Sequence, residues 1–111
     1  MKIALTSVEK KDVINGTVKI PEKTSYIKKN AFNGLTDLKT ITIPKSVKKI
    51  NRFAFYNCKN LKSIKFCSIP EIGSDAFTGC PVKEVVLNSF LKVNLQTYKD
   101  LRYIFITLLL F

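Results

Sequence analysis

The residues in this sequence that could carry out chemistry are three cysteines and a few carboxylates. The chain contains no histidine, so a histidine general base, a Ser-His-Asp or Cys-His arrangement and an imidazole metal ligand are all excluded. Cys58, Cys67 and Cys80 are too few and too unevenly spaced for a disulfide framework or a zinc site. We therefore interpret them as reduced thiols without a catalytic role.

Two carboxylates, Glu71 and Asp75, fall close together in one predicted turn, an arrangement that acid–base catalysis can use. Carboxylates at a surface are far more often solvated charges. A phosphate-binding loop is excluded as well, because the four glycines, at positions 16, 34, 73 and 79, are isolated from one another. The sequence therefore predicts a protein that is not an enzyme and that uses no cofactor and no metal.

The element that must position all of these residues is an internal repeat. Residues 41–64, ITIPKSVKKINRFAFYNCKNLKSI, match the preceding residues after a shift of about 23 and the following residues after a shift of about 22. The clearest aligned positions are the pairs Ala31-Phe32, Ala54-Phe55 and Ala76-Phe77. A fixed period near 22 residues is typical of a solenoid.

Each repeat begins with a short alternating segment that predicts a strand with one buried face. The buried pairs are Val18/Ile20, Ile41/Ile43, Ile64/Phe66 and Val85/Leu87. We expect an α/β-type repeat solenoid with a period of about 21–23 residues, a parallel β-sheet on one face and irregular or short helical returns. The phenylalanines should stack in the interior, and Asn33-Gly34, Tyr56-Asn57 and Thr78-Gly79 should end the turns at positive φ.

The pattern I-P-x-S-V-x-x-I-x-x-x-A-F-x-x-C-x-x-L-x-x-I, which runs from Ile43 to Ile64, resembles the BspA-like leucine-rich repeats. The resemblance covers residues 18–87 and extends weakly to 109. It implies a leucine-rich-repeat solenoid of a family found largely in surface or secreted proteins of bacteria and protists, some of them adhesins for matrix proteins. It also implies that Cys58 and Cys80 are small buried residues, whereas Cys67 lies outside the pattern and could be partly exposed. The compartment stays open, because no signal peptide or anchor is recognisable in the sequence.

The two ends of the chain depart from the repeat. Residues 1–16 do not fit its register and are predicted to form an N-terminal cap, with a strand at residues 3–6 and a turn at Asn15-Gly16. Residues 17–88 would form three coils and residues 89–111 a degenerate final coil, with Val93 beside Ile72 and a strand at residues 104–109. A C-terminal helix over residues 95–110 and a membrane segment are the alternatives. The apolar run from Tyr103 onward is too short for a span, which needs about 20 residues.

The surface of such a solenoid is where a partner would bind. On the sheet side, the candidate protein-binding residues are Lys19, Thr40, Thr42, Ser63, Lys65 and Glu84. On the return side, Lys28, Lys29, Lys48 and Lys49 form a basic stripe. The formal charge of +11 favours anionic partners, although lysine is also the default surface residue of this chain.

Three hypotheses follow from this surface. The first is a non-catalytic protein-binding module, adhesin-like by resemblance, with a partner of unknown identity. The second is a module that binds polyanions such as glycans, nucleic acid or anionic lipid through its lysines. The third is a structural element of a longer array, whose apolar C-terminal end associates with another copy.

Overall fold

The computed structural model describes residues 3–87 and the backbone of residues 91–94. The chain winds into coils that carry two separate four-stranded sheets, one on each side. The first sheet contains β1 (Ala4–Leu5), β2 (Tyr26–Ile27), β4 (Lys49–Ile50) and β6 (Glu71–Ile72), and the second contains β3 (Thr40–Ile43), β5 (Ser63–Phe66), β7 (Glu84–Leu87) and β8 (Leu91–Asn94). One short 3₁₀ helix, Lys10–Asp12, lies between β1 and β2.

Strands β3, β5 and β7 pair in parallel, as the repeat predicts. Their inward residues form two buried columns, which are Ile41, Ile64 and Val85 in one and Ile43, Phe66 and Leu87 in the other. Each outward residue between them is exposed or half-buried. The alternation read from the sequence therefore gives the correct face and the correct register for these three strands.

The strand predicted around Val18 and Ile20 is wrong. Both side chains are buried, but residues 18–20 do not form a strand. Gly16, at φ 80°, ends a tight turn, and its carbonyl accepts the N–H groups of Lys39 (2.7 Å) and Thr40 (3.1 Å). Residues 18–20 do not continue this pairing with β3.

The returns differ from the prediction in having a sheet of their own. Two-residue strands β2, β4 and β6 pair in parallel, with Ile27, Ile50 and Ile72 in register. Helical returns were among the expectations, yet the one helix within residues 3–87 is Lys10–Asp12. The reason is the coil spacing: adjacent parallel strands lie about 4.8 Å apart, so wherever the return is briefly extended its backbone pairs with the neighbouring coil.

One part of the N-terminal segment, β1, follows the repeat register, although residues 1–16 were predicted not to fit it. The expected strand and turn are both present. The strand is β1, and the turn at Asn15-Gly16 connects Ile14 to Thr17, which pair in an isolated antiparallel bridge. However, β1 pairs in parallel with β2, with Leu5 beside Ile27. The backbone of residues 4–5 therefore continues the return sheet by one coil.

The strand β8 runs antiparallel to β7. Val93 was expected beside Ile72, and this placement is wrong, because Val93 lies opposite Val85. A reversed strand here satisfies the backbone groups that β7 would otherwise expose along its edge. The strand predicted at residues 104–109, the alternative helix at 95–110 and the alternative membrane segment lie outside the described residues.

The interior is organised by stacked phenylalanine rings. The centroids of Phe32 and Phe55 lie 4.4 Å apart at an interplanar angle of 17°, and those of Phe55 and Phe77 lie 4.9 Å apart at 7°. Phe32 and Phe55 are completely buried. The turns that follow pass through positive φ at Gly34 and Gly79, which confirms the predicted turn positions.

Phe55→Ala should lower the free energy of unfolding by about 3–5 kcal/mol, because it removes the central ring of the stack and leaves a cavity between two coils. Chemical denaturation followed by circular dichroism measures this change. Ile69→Ala is the control, because the Ile69 side chain is 43% exposed and its loss should change the value by less than about 0.5 kcal/mol. Equal effects of the two substitutions would show that the stacked rings are not the core.

Candidate functional site

The outward residues of β3, β5 and β7 form a surface that we call the sheet face. Thr40, Ser63 and Glu84 lie side by side in one column, and Thr42, Lys65 and Val86 lie in the next. Thr40, Thr42 and Lys65 are exposed, and the other three are half-buried. Five of the six candidate protein-binding residues are thus brought together on this face.

The sixth candidate, Lys19, is exposed but does not extend the column of Thr42 and Lys65 as a paired strand residue would. It lines a shallow crevice of about 260 Å³ together with Thr42, Pro44 and Cys67. The crevice exists because residues 18–20 do not pair with β3. Lys19 therefore borders the sheet face across a gap.

A row of lysines flanks the sheet face one residue before each strand. The row contains Lys39, Lys62 and Lys83, all exposed, and their backbones are joined by hydrogen bonds from Lys62 N to Lys39 O (2.9 Å) and from Lys83 N to Lys62 O (2.8 Å). Among residues 3–87, two ion pairs connect a lysine to a carboxylate, Lys10 with Asp37 and Lys11 with Glu9. Neither pair includes a lysine of this row. This edge of the sheet face is therefore positively charged.

The sheet of β1, β2, β4 and β6 forms a second surface, which we call the return face. The four lysines of the predicted basic stripe are all exposed; Lys49 lies on β4, Lys48 precedes it, and Lys28 and Lys29 follow β2. Lys49 lies beside Tyr26 in the register of the sheet. A concavity of about 460 Å³ opens there, and it is lined by Ser25, Tyr26, Lys48, Lys49 and Asn51.

An aromatic and cationic cluster at the corner of the return face was missed in the sequence. Phe53 is half-buried, and its ring is approached by the Arg52 guanidinium carbon at 4.7 Å and by Lys29 Nζ at 5.9 Å from the centroid. Tyr56 packs edge-on against the same ring at 5.3 Å. These distances are typical of cation–π and T-shaped contacts.

The backbone of Phe53 is in the left-handed region, at φ 61°, where a bulky residue is unusual. The equivalent residues of the neighbouring coils, Asn30 (φ 64°) and Asp75 (φ 58°), are types that tolerate this conformation. A phenylalanine aligned with an asparagine and an aspartate is the signal by which the sequence could have revealed the site.

The cysteines of the repeat make equivalent hydrogen bonds, but Cys80 is half-buried rather than buried as the repeat pattern implies. The Cys58 thiol donates to the Phe32 carbonyl (3.0 Å) and the Cys80 thiol to the Phe55 carbonyl (2.9 Å). The neighbouring Cys58 sulfur and burial raise the pKa of the Cys80 thiol. Cys58 is fully buried, as the repeat pattern implies, and Cys67 is exposed. The two repeat cysteines thus act as small structural donors.

The carboxylates of Glu71 and Asp75 do not form the acid–base pair that their proximity in the sequence allowed. Glu71 is exposed on β6, whereas Asp75 accepts a hydrogen bond from the Thr78 hydroxyl (3.0 Å). The described residues hold no group of three or more potential metal ligands. Within the same part of the chain, no helix has the length and apolar character needed to cross a membrane.

Short strands stacked coil on coil, with outward columns of side chains, define a repeat solenoid whose surface serves protein interaction. A family model described as the BspA type leucine rich repeat region, with 6 copies, matches residues 12–104. The chain therefore belongs to the BspA-type leucine-rich repeat family. Such repeats are generally non-catalytic. No curated protein and no solved structure matches the chain.

Iodoacetamide at mildly alkaline pH should alkylate Cys67 in the folded protein and leave Cys58 and Cys80 unmodified. The reason is that alkylation requires an accessible thiolate, and the raised pKa of Cys80 keeps that thiol protonated. Mass spectrometry of tryptic peptides measures the modification of each cysteine. The same treatment in denaturant is the control and should modify all three. Alkylation of folded Cys80 as fast as Cys67 would show that neither its hydrogen bond to Phe55 nor its raised pKa protects this half-buried thiol.

Phe53→Asn should leave the free energy of unfolding within about 1 kcal/mol of the parent value. Relief of the left-handed strain, worth about 1–2 kcal/mol, opposes the lost ring contacts, which are partly exposed and of similar size. Thermal melting of this variant beside Phe53→Ala, which loses the ring without the residue type suited to positive φ, measures the difference. A stability equal to that of Phe53→Ala would show that the strain is absent.

Proposed function

We propose that the chain is an adhesin-like binding module that holds a protein partner on its sheet face. The observation that carries the proposal is the pair of outward columns, Thr40, Ser63, Glu84 and Thr42, Lys65, Val86. The buried isoleucine and valine ladders hold these strands in one register. A rigid face of this kind loses little conformational entropy on binding, which favours affinity.

The shape of the face favours a protein over a small molecule. Small ligands bind in concave sites that enclose most of their surface, whereas the crevice of about 260 Å³ that Thr42 lines lies at the margin of the sheet face. Hydroxyls, a half-buried Val86 and the aliphatic stems of lysines provide the mixture of polar and apolar contact that is usual in interfaces.

The charge of the face indicates what kind of protein surface it fits. Lys65 lies within the face, and the row of Lys39, Lys62 and Lys83 borders it. Complementary charge accelerates association and selects against wrong partners. The partner surface is therefore expected to be acidic at its rim and polar at its centre.

The test is retention of matrix proteins by the immobilised chain at about 0.1 M and 0.5 M salt, a range over which the screening length falls from about 10 Å to a few ångströms. A partner retained at the higher salt is expected. The double variant Thr42→Ala, Lys65→Ala should then weaken its binding about fivefold or more. Lys59→Ala is the control, because Lys59 is an exposed lysine in a turn.

Two outcomes would contradict the proposal. Loss of every protein at 0.5 M salt would leave charge as the sole attraction. Equal weakening by the Lys59 control and by the double variant would show that the sheet face is not where the partner binds.

A further inference from the structure

We infer that the return face carries a second binding site, specific for an anionic polysaccharide, that is, a sulfated or carboxylated glycan. The site is the concavity of about 460 Å³ lined by Ser25, Tyr26, Lys48, Lys49 and Asn51. It lies on the sheet of β1, β2, β4 and β6, a different sheet from the proposed protein-binding face. The inference therefore does not depend on the sheet face having a partner.

The charged side chains that line this concavity are both cationic, and one carboxylate, that of Glu71, lies beside them. Lys48 and Lys49 line it, and three further exposed cations, Lys28, Lys29 and Arg52, follow the strands β2 and β4 within two residues. Among residues 3–87, none of these five cations lies within 4 Å of a carboxylate. Glu71, in register with Lys49 on β6, is the acidic residue that bounds the cations on this sheet. Clustered unpaired cations favour a ligand that carries several negative charges.

The polar side chains in the concavity are already held in position. Ser25 Oγ accepts the backbone N–H of Ile3 (3.2 Å), so its own O–H is a donor that the described residues do not use. The Asn51 amide donates to the Ile27 carbonyl (2.8 Å), and its Oδ1 likewise has no donor in the described part of the chain. The concavity thus offers a donor and an acceptor, both fixed by the neighbouring coil or strand, which suits a ligand rich in hydroxyl groups.

Tyr26 supplies the apolar contact. It is half-buried, and its neighbour in the sheet is Lys49. Tyrosine presents a flat apolar ring with a polar end, so a sugar ring can pack against it while sulfate or carboxylate groups meet the ammonium groups of Lys48 and Lys49. A site that bound its ligand by charge alone would not need a tyrosine ring beside the two lysines.

Single-stranded nucleic acid is the other polyanion that basic and aromatic residues bind, and the geometry disfavours it. Stacking of successive bases requires several open aromatic faces. On this surface the Phe53 ring is approached by the cations of Arg52 and Lys29 and by the edge of Tyr56. Among the residues that the structure describes, Tyr26 is the one aromatic residue that lines the concavity.

The test measures binding of a heparin-derived octasaccharide to the full chain by titration calorimetry at several salt concentrations. The double variant Lys48→Gln, Lys49→Gln should bind about tenfold more weakly. The slope of log affinity against log salt should also fall by about 2, because each contact between a lysine and an anionic group of the ligand contributes nearly 1 to this slope. The matched control is Lys19→Gln, Lys65→Gln, which removes the same charge from the sheet side and should change the affinity less than threefold.

Two further variants separate the ring from the charge. Tyr26→Ala should weaken binding severalfold without changing the salt slope, and Tyr26→Phe should retain most of the affinity because the ring remains. Glu71→Gln should strengthen binding, because it removes the carboxylate next to Lys49. Circular dichroism of each variant verifies that it is folded.

Three results would overturn the inference. The first is an equal loss of affinity in the two double-lysine variants, which would indicate binding by overall charge. The second is a competition result in which polyglutamate displaces the bound octasaccharide as readily as an excess of unbound octasaccharide does. The third is tighter binding of a thymidine octanucleotide than of the octasaccharide at the same salt, which would assign the site to nucleic acid. Failure of the sheet-face variants to affect a protein partner would leave this inference intact.

Discussion

The fold depends on one requirement, which is that the backbone of each buried turn finds its hydrogen-bond partners in the next coil. Val8 donates to the Ala31 carbonyl, Phe32 to that of Ala54 and Phe55 to that of Ala76, at 2.7–2.8 Å. Because these groups are shielded from water, leaving any of them unpaired would be costly. The small alanine beside each phenylalanine allows the coils to approach closely enough for both the hydrogen bond and the ring stack. The cysteine thiols, donating to carbonyls one coil away, satisfy the same requirement.

The sequence predicts those parts of the structure that are determined by interactions between repeated residues. The period, the strands β3, β5 and β7 and the phenylalanine column follow from residues that repeat, so they could be predicted. The two-residue strands on the return side could not, because two residues show no alternation and pair only once the coils are stacked. The direction of β8 and the absence of a strand at Val18 could not be predicted either, because neither follows from residues that repeat.

The candidate sites were predictable in the same uneven way. The outward columns of the sheet face follow directly from strand alternation, and the lysines of the return stripe are visible as charge pairs in the sequence. The concavity is not visible, because Tyr26, Lys49 and Asn51 come together only through the register of β2 and β4. Phe53 was missed because its environment depends on a left-handed backbone conformation, which a phenylalanine does not predict. Both faces are built from short segments that are distant in sequence and that the coil register brings together.

The reversal of β8 has a geometric consequence for how the sheet can grow. A parallel array of identical coils is generated by translation, and each new strand meets an edge identical to the one before it. Strand β8 presents an edge of opposite polarity, so a coil of the same winding placed beside it would have to run antiparallel to it. The hydrogen-bonding groups of an antiparallel pair alternate between close and wide spacing, unlike those between the preceding coils. On the sheet side, the reversed strand therefore ends the translational symmetry that β3, β5 and β7 share.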